Sequence, residues 1–274
     1  MFYQKFDLWE EYPEATLTAY VCEQDLKTDP RPAIVVCPGG GYGFVSEREA
    51  EPIVRKFFGA GMNAYLLNYS VKERAKDYAP LIQVAKAIKL VRERATIDNT
   101  DPKKIYVIGF SAGGHLAASS GTLWNLPVVR NALGITAGDA PEGINRPDGM
   151  ILCYPVITVG KYTHKGTAMN VSGHEVLTED DIERFSLELH VDSTTPPTFL
   201  WHTAADKSVP IQNSIMFASA LAEANVPFEA HIFPYGTHGL SLANSETAVG
   251  QDCYLEPHTE IWPDLALKWI KECL

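Results

Sequence analysis

Residues 104–119 read KIYVIGFSAGGHLAAS and place Ser111 between Gly109 and Gly113. The run before the serine is apolar and the run after it is rich in small residues, which predicts a buried strand followed directly by a helix. A nucleophile at such a sharp turn needs neighbours with almost no side chain, and the two glycines meet that need. We therefore expect Ser111 to be a nucleophile. A glycine-rich turn around an inert serine is the plainer alternative.

A serine hydroxyl becomes a good nucleophile only when a base removes its proton, and this type of fold carries its triad in the order Ser, Asp, His. Of the eight histidines, His238 lies in the turn-rich loop FPYGTHGL after the last predicted strand. Loops at strand ends often hold catalytic side chains. The other histidines lie in predicted strands, on predicted helices or in a long irregular segment. We expect His238 to be the general base.

The third member should be a carboxylate that binds the other imidazole nitrogen and fixes the tautomer. Asp206 follows the predicted strand TFLWHT by a short turn. Helix capping is a common role of aspartate and gives a simpler explanation, because Val209-Pro210 looks like the start of a helix. The rival acid Asp192 precedes the strand and lies at its wrong end. We predict that Asp206 orients His238.

Negative charge on a substrate oxygen must be stabilised by backbone N–H groups. The glycine-rich run PGGGYG follows a predicted strand, and we choose Gly40 and Gly41 in it as donors. Ala112, the first residue after the serine, supplies the expected helix-terminal donor. The run matches neither G-x-x-x-x-G-K-[ST] nor G-x-G-x-x-G, so the phosphate-binding alternative lacks its motif.

Strands and helices alternate along the chain and must position these residues. Short apolar runs predict strands at residues 33–37, 64–69, 105–110, 150–154, 198–201 and 228–233. The spacing of Leu81, Val84, Ile88 and Val91 predicts a helix between two of them. This alternation predicts an α/β fold with a mostly parallel, doubly wound sheet and helices on both faces.

Two regions depart from the alternation. Residues 156–195 contain three glycines and three histidines without a convincing strand, and we interpret them as an excursion over the sheet edge that partly covers the site. The near-helical spacing of Ile261, Leu265, Trp269 and Leu274 predicts a closing C-terminal helix packed on the sheet.

Composition and charge narrow the range of partners. The chain has 274 residues, of which 46% are hydrophobic and 21% charged, and a net charge of -11. We expect a single domain over residues 1–274 and no nucleic-acid partner, because an acidic surface repels polyanions. Five scattered cysteines without a C-x-x-C pair indicate reduced thiols and no metal site. The absence of a long apolar segment predicts a cytoplasmic protein with no membrane partner, and homo-oligomerisation stays open.

The motifs PGGGY, GFSAGGH, WHTAADKSVP and FPYGTHGL resemble, in this order, those of α/β-hydrolase serine esterases, in particular bacterial acetyl-xylan-esterase-like carbohydrate esterases. The resemblance runs from about Ala33 to the end. It implies the α/β-hydrolase fold, a triad of Ser111, Asp206 and His238, and catalysis without a metal or organic cofactor. Pro38 stands where the hormone-sensitive-lipase branch has histidine, which disfavours a lipase. The chain is also too short for the propeller of the prolyl-oligopeptidase branch.

The resemblance further implies a carboxylic-ester hydrolase that removes a short acyl group, above all acetyl, from a sugar or another small alcohol. Aromatic rings can stack on sugars, although core packing is the commoner role. The candidates for this contact are Tyr42, Trp124, Tyr154 and Trp201. Two alternatives remain, namely an amidase or peptidase such as an arylformamidase, and a non-catalytic interaction protein on the same fold.

Overall fold

The computed structural model describes residues 2–22, 29–135 and 142–273, without the side chains of Phe2 and Cys273. Its strands are β1 (Phe2–Asp7), β2 (Thr16–Val21), β3 (Arg31–Cys37), β4 (Asn63–Asn68), β5 (Thr100–Phe110), β6 (Gly149–Cys153), β7 (Thr198–Thr203) and β8 (Phe228–Phe233). Its helices are α1 (Glu51–Gly59), α2 (Ala79–Glu93), α3 (Ala112–Thr122), α4 (Pro127–Ala132), α5 (Lys165–Ser172), α6 (Glu179–Phe185), α7 (Gln212–Glu223), α8 (Ser245–Ala248) and α9 (Trp262–Cys273). Short 3₁₀ turns span Glu47–Glu49, Lys72–Arg74, Leu187–His190 and Asp252–Tyr254.

All eight described strands belong to one sheet with the order β1-β2-β4-β3-β5-β6-β7-β8. The pairs β1–β2 and β2–β4 are antiparallel, and the remaining pairs are parallel. The six predicted strands and the mostly parallel sheet are confirmed. The antiparallel strands β1 and β2 were not predicted, and they extend the sheet at one edge.

Strand β3 shows why the central strands consist of continuous apolar residues. Val35 and Cys37 pack on one face of the sheet, in the same cluster as the buried residues of α2 and α3. Ile34 and Val36 pack on the other face with α1 and α9. Because helices cover both faces, each buried aliphatic side chain of residues 33–37 contributes roughly 1.5–3 kcal/mol, which favours an uninterrupted apolar run there.

The C-terminal helix is confirmed as α9, and two of the residues predicted to face the sheet, Leu265 and Trp269, pack on the core. Ile261 precedes the helix and is 51% exposed, and Leu274 lies outside the described residues. The residues of α9 that pack in the core are Trp262, Ala266, Trp269 and Ile270. The 3.6-residue period therefore starts at Trp262 rather than at Ile261.

The excursion at residues 156–195 contains α5, α6 and the short turn Leu187–His190 and has no strand, as expected. It connects the carboxyl end of β6 to the amino end of β7, and its helix α5 contacts the glycine-rich run that follows β3. Cys37 and Cys153 are buried free thiols in β3 and β6. None of the described helices is both long enough and apolar enough to cross a membrane.

A buried histidine on α3 connects the helix after Ser111 to two other elements. His115 Nε2 lies 2.9 Å from the carbonyl oxygen of Phe185, and His115 Nδ1 lies 3.0 Å from the hydroxyl of Tyr42. A carbonyl can only accept, so Nε2 carries the hydrogen and Nδ1 accepts from the tyrosine. Burial disfavours the charged imidazole and lowers the pKa of His115 to about 4.

This pKa predicts a pH-dependent stability. The unfolded chain binds a proton at His115 below its ordinary pKa of 6.5, whereas the folded chain stays neutral there down to about 4. The free energy of unfolding should therefore decrease as the pH falls through this window, by about 3 kcal/mol from this group. Urea unfolding of His115→Asn should show a correspondingly weaker pH dependence than the wild type. Equal slopes in the wild type and in His115→Asn would contradict the prediction.

Candidate active site

Ser111 alone forms the connection between β5 and α3. Its backbone has φ 54° and ψ −118°, a conformation that costs a non-glycine residue about 1–3 kcal/mol. Hydrogen bonds hold it there: its N–H donates to the Cys153 carbonyl at 3.0 Å, and its own carbonyl accepts from the N–H groups of His115 and Val156. The side chain is thereby presented at the carboxyl end of the sheet.

The glycines beside the serine are required by close backbone contacts. A Cβ atom on Gly109 would lie 2.0 Å from the carbonyl oxygen of Gly113. A Cβ atom on Gly113 would lie 2.1 Å from the carbonyl oxygen of Cys37. Neither position has room for a side chain, so the G-x-S-x-G string reflects the crossing of β5, α3 and the end of β3.

The three residues of the predicted triad are brought together by three separate loops. His238, in the loop after β8, has its Nε2 2.8 Å from Ser111 Oγ. Its Nδ1 lies 2.6 Å from Asp206 Oδ2. The aspartate side chain is completely buried, whereas the imidazole is 20% exposed. This chain of hydrogen bonds can move a proton from the serine to a histidine whose opposite nitrogen is held by a carboxylate.

Asp206 makes the contacts of both roles considered for it. Its Oδ1 accepts from the backbone N–H groups of Ser208 and Val209 at 2.8 and 3.0 Å, which is the turn-capping role. Its Oδ2 accepts from His238. Burial by itself would raise the pKa of Asp206, but hydrogen bonds from His202 and His238 outweigh it, so the pKa of this carboxyl lies below its usual range. The group is ionised at neutral pH.

His202 is a second histidine on the aspartate, and the sequence interpretation assigned it only to a strand. It is fully buried in β7, with Nε2 3.0 Å from the Val209 carbonyl and 3.3 Å from Asp206 Oδ2. Its Nδ1 lies 2.8 Å from Ser214 Oγ. Because the Val209 carbonyl can only accept, Nε2 carries the hydrogen, and this hydrogen also faces the carboxylate. The sequence feature that could have indicated this contact is a histidine at the end of a strand, four residues before the acid.

The glycine loop after β3 lies beside the nucleophile. A Cβ atom on Gly39 would be 3.1 Å from Ser111 Cβ, and the positive φ angles of Gly40 and Gly41, 125° and 63°, require glycine. Within the described residues, the N–H groups of Gly40 and Gly41 have no hydrogen-bond partner. Ala112 opens α3, where helix N–H groups have no partner within the helix. These amides can therefore bind an anionic oxygen.

Helix α5 of the excursion holds the glycine loop from outside. Asn170 Nδ2 donates to the Gly41 carbonyl at 2.8 Å. His164, immediately before α5, lies near the same glycine, and its Nδ1 accepts from the Thr167 N–H at 3.2 Å. The neutral ring therefore carries its hydrogen on Nε2. Burial and the neighbouring His238 lower the pKa of His164 and favour this neutral form.

The four aromatic residues selected as sugar-binding candidates are not available for stacking. Each is at most 6% exposed, and their rings fill the core: Tyr42, Trp124, Tyr154 and Trp201. The Tyr42 hydroxyl bonds to His115, and Trp124 Nε1 donates to Thr194 Oγ1. The selection was wrong because apolar rings near strand ends are buried by the helices that cover the sheet. Among the described residues, no cluster of three or more His, Cys, Asp and Glu side chains could hold a metal ion.

Residues 20–221 match the family model BD-FAE. The chain belongs to the BD-FAE family of α/β-hydrolases. Two solved structures similar to this BD-FAE chain are an acetyl ester-xyloside bifunctional hydrolase from Caldicellulosiruptor lactoaceticus (35% identity, TM-score 0.82, 98% of this chain and 96% of that one) and the carboxylesterase Cest-2923 from Lactobacillus plantarum (30% identity, TM-score 0.85, 100% and 98%).

Curated relatives of this BD-FAE chain are longer than it is. Endo-1,4-beta-xylanase B of Butyrivibrio fibrisolvens is 38% identical over 84% of this chain, and an acetylxylan esterase of Xylanibacter ruminicola is 28% identical over 87%. The alignments cover only 35% and 45% of those two proteins. Ester hydrolysis is the activity named for most of these curated relatives.

Proposed function

We propose that this BD-FAE protein is a serine carboxylic-ester hydrolase that removes short acyl groups, above all acetyl, from sugars or other small alcohols. The observation that carries the proposal is the hydrogen-bonded chain from Ser111 through His238 to Asp206. The names of its relatives, acetylxylan esterase and acetyl ester-xyloside hydrolase, support a sugar ester as the substrate.

In the acylation step, His238 Nε2 removes the proton from Ser111 Oγ while that oxygen attacks the ester carbonyl. The carbonyl oxygen becomes an anion and binds the N–H groups of Gly40, Gly41 and Ala112. The imidazolium is stabilised by the ionised Asp206. Collapse of the tetrahedral intermediate breaks the bond to the alcohol, which leaves with the proton from His238, and Ser111 retains the acyl group.

In the deacylation step, water replaces the serine hydroxyl as the nucleophile. A water molecule gives its proton to His238 and attacks the acyl-enzyme, and the acid leaves as the proton returns to Ser111. Every proton is carried by His238, so the cycle needs no metal or organic cofactor. A cheap test of an activated Ser111 is labelling with a fluorophosphonate probe: the wild type should react, and a protein that stays unlabelled would be the non-catalytic alternative.

Acyl length should separate this function from a lipase. The cover near the glycine loop presents polar groups, Asn170 and His164, and each additional buried methylene contributes about 0.8 kcal/mol only where apolar wall receives it. We expect kcat/KM on p-nitrophenyl esters to peak between acetyl and butyryl and to decrease by octanoyl, and acetate to be released from acetylated xylo-oligosaccharides.

Matched amide substrates complete this experiment. Anilides of the same acyl groups should react far more slowly than the esters, whereas faster cleavage of an anilide or formanilide would favour the amidase alternative. Rates that still rise at octanoyl, with no acetate from any sugar, would contradict the carbohydrate-esterase proposal and leave the serine-hydrolase chemistry intact.

A further inference from the structure

Glu49 is a buried acidic residue close to the site, and the reaction described above does not use it. It ends the 3₁₀ turn Glu47–Glu49 and is 4% exposed, whereas Glu47 and Glu51 on either side are exposed. Taking a carboxylate out of water is costly unless hydrogen bonds replace the lost hydration. Its partners therefore indicate what it does.

Both oxygens of Glu49 accept hydrogen bonds from buried donors. Oε2 accepts from the Gly39 N–H at 2.8 Å, and Oε1 accepts from the Tyr154 hydroxyl at 2.6 Å. The tyrosine oxygen in turn accepts from the Ser241 N–H at 2.9 Å. That contact fixes the direction of the hydrogen bonds. The backbone N–H can only donate, so the tyrosine hydroxyl hydrogen is left to donate to Glu49.

The two ends of this chain of hydrogen bonds lie in the glycine loop and in the His238 loop, both of which the proposed reaction needs. Gly39 directly precedes the proposed oxyanion donor Gly40. Ser241 lies three residues after His238, and the ring of Tyr154 also packs against the imidazole, with centroids 5.1 Å apart at 71°. A displacement of either loop would move the oxyanion donors relative to the general base.

We propose that Glu49 is a positioning residue that, through Tyr154, fixes the glycine loop and the His238 loop relative to each other, so that the oxyanion donors and the base act on the same substrate atom. This inference rests on the proposed serine-esterase function. A misplacement of about 1 Å can cost on the order of 100-fold in rate. Glu49 contributes geometry and touches no reacting atom.

The test is Glu49→Gln, which keeps the shape of the side chain and replaces one acceptor oxygen by an NH₂ group. Because Gly39 and Tyr154 both donate, one of them then faces another donor. We expect kcat on p-nitrophenyl acetate to fall by about 10- to 100-fold while KM changes by less than about three-fold. Affinity for phenylboronic acid, which forms a tetrahedral adduct on the serine, should fall by a similar factor because the adduct uses the same donors.

Tyr154→Phe provides an independent variant, since it removes the connecting hydroxyl and retains the ring. It should reduce kcat to a similar extent, and Glu49→Gln combined with Tyr154→Phe should cost little more than the worse single change, because the two residues act as one unit. The matched control is Glu47→Gln, an exposed glutamate on the same turn, which should behave as the wild type.

Three results would overturn the positioning role: kcat within about two-fold of wild type in Glu49→Gln, multiplicative losses in the double variant, or a lower kcat with unchanged phenylboronic acid affinity per folded molecule. Folded fraction is measured by thermal melting. Failure of the proposed function has a different signature, in which the wild type itself neither hydrolyses p-nitrophenyl acetate nor reacts with a fluorophosphonate.

Discussion

Ser111→Ala should lower kcat on p-nitrophenyl acetate by at least about three orders of magnitude. The alanine has no oxygen to form the acyl-enzyme, and what remains is the effect of binding and of the oxyanion donors on attack by water. The free energy of unfolding should change little, because serine and alanine are equally strained at φ 54° and, within the described residues, the lost hydroxyl bonds only to the partly exposed His238. Steady-state kinetics and urea unfolding of the same preparation measure both quantities.

The control for this variant is another buried serine of α3. Ser120 Oγ donates to the Ala117 carbonyl within the helix and has no role in the site. Ser120→Ala should retain kcat within about two-fold, because only one helix-backbone hydrogen bond is lost. Wild-type activity in Ser111→Ala would end the assignment of the nucleophile, and so would equal losses in the two variants.

Asp206→Asn should lower kcat by a factor on the order of 10³–10⁴. Oδ1 accepts from two backbone N–H groups, so the asparagine oxygen stays there and its NH₂ group takes the place of Oδ2. That group faces His238 Nδ1 and can only donate, which forces the imidazole into the tautomer with hydrogen on Nε2. Nε2 then cannot accept the proton of Ser111.

The structure also supplies the control for this prediction. Asp192, the rival acid, accepts from the N–H and hydroxyl of Thr194 in an exposed turn before β7. Asp192→Asn should leave kcat within about two-fold of wild type, since an exposed turn contributes little beyond stability. Comparable losses in both aspartate variants would show that the decrease arises from general destabilisation rather than from the tautomer.

The grouping of Ser111, Asp206 and His238 could be predicted because each residue is tied to the chain order and to the end of a strand. Ser111 carries its own signal in the flanking glycines, which the backbone contacts require, and Asp206 and His238 follow the last two parallel strands. The antiparallel strand β2 was missed although its apolar residues Leu17 and Ala19 alternate with threonines, which is itself a strand pattern.

Burial was the property that the sequence could not reveal. Glu49 stands in the run SEREAEP among other glutamates of the same type, and only the tertiary fold distinguishes it by covering its side chain. The aromatic candidates show the converse case, since Trp201 and Tyr154 were selected for stacking on a sugar and are enclosed between the sheet, α9 and each other, which is the core packing named as their commoner role. The local sequence pattern determines the secondary-structure elements, whereas the burial of a side chain depends on which other elements pack on it.

The position of His238 has a consequence for protein synthesis. Ser111 and His238 are 127 positions apart, and the histidine follows β8, which lies at the edge of the sheet and is also its last strand in the chain. A nascent chain emerges from the ribosome with its N-terminal end first, so the elements up to α7 can pack before β8 has left the exit tunnel. At that stage the serine has no base and the glycine loop has no connection to Ser241. We therefore expect a nascent chain to carry Ser111 without its base, and the serine to become reactive only when β8 docks.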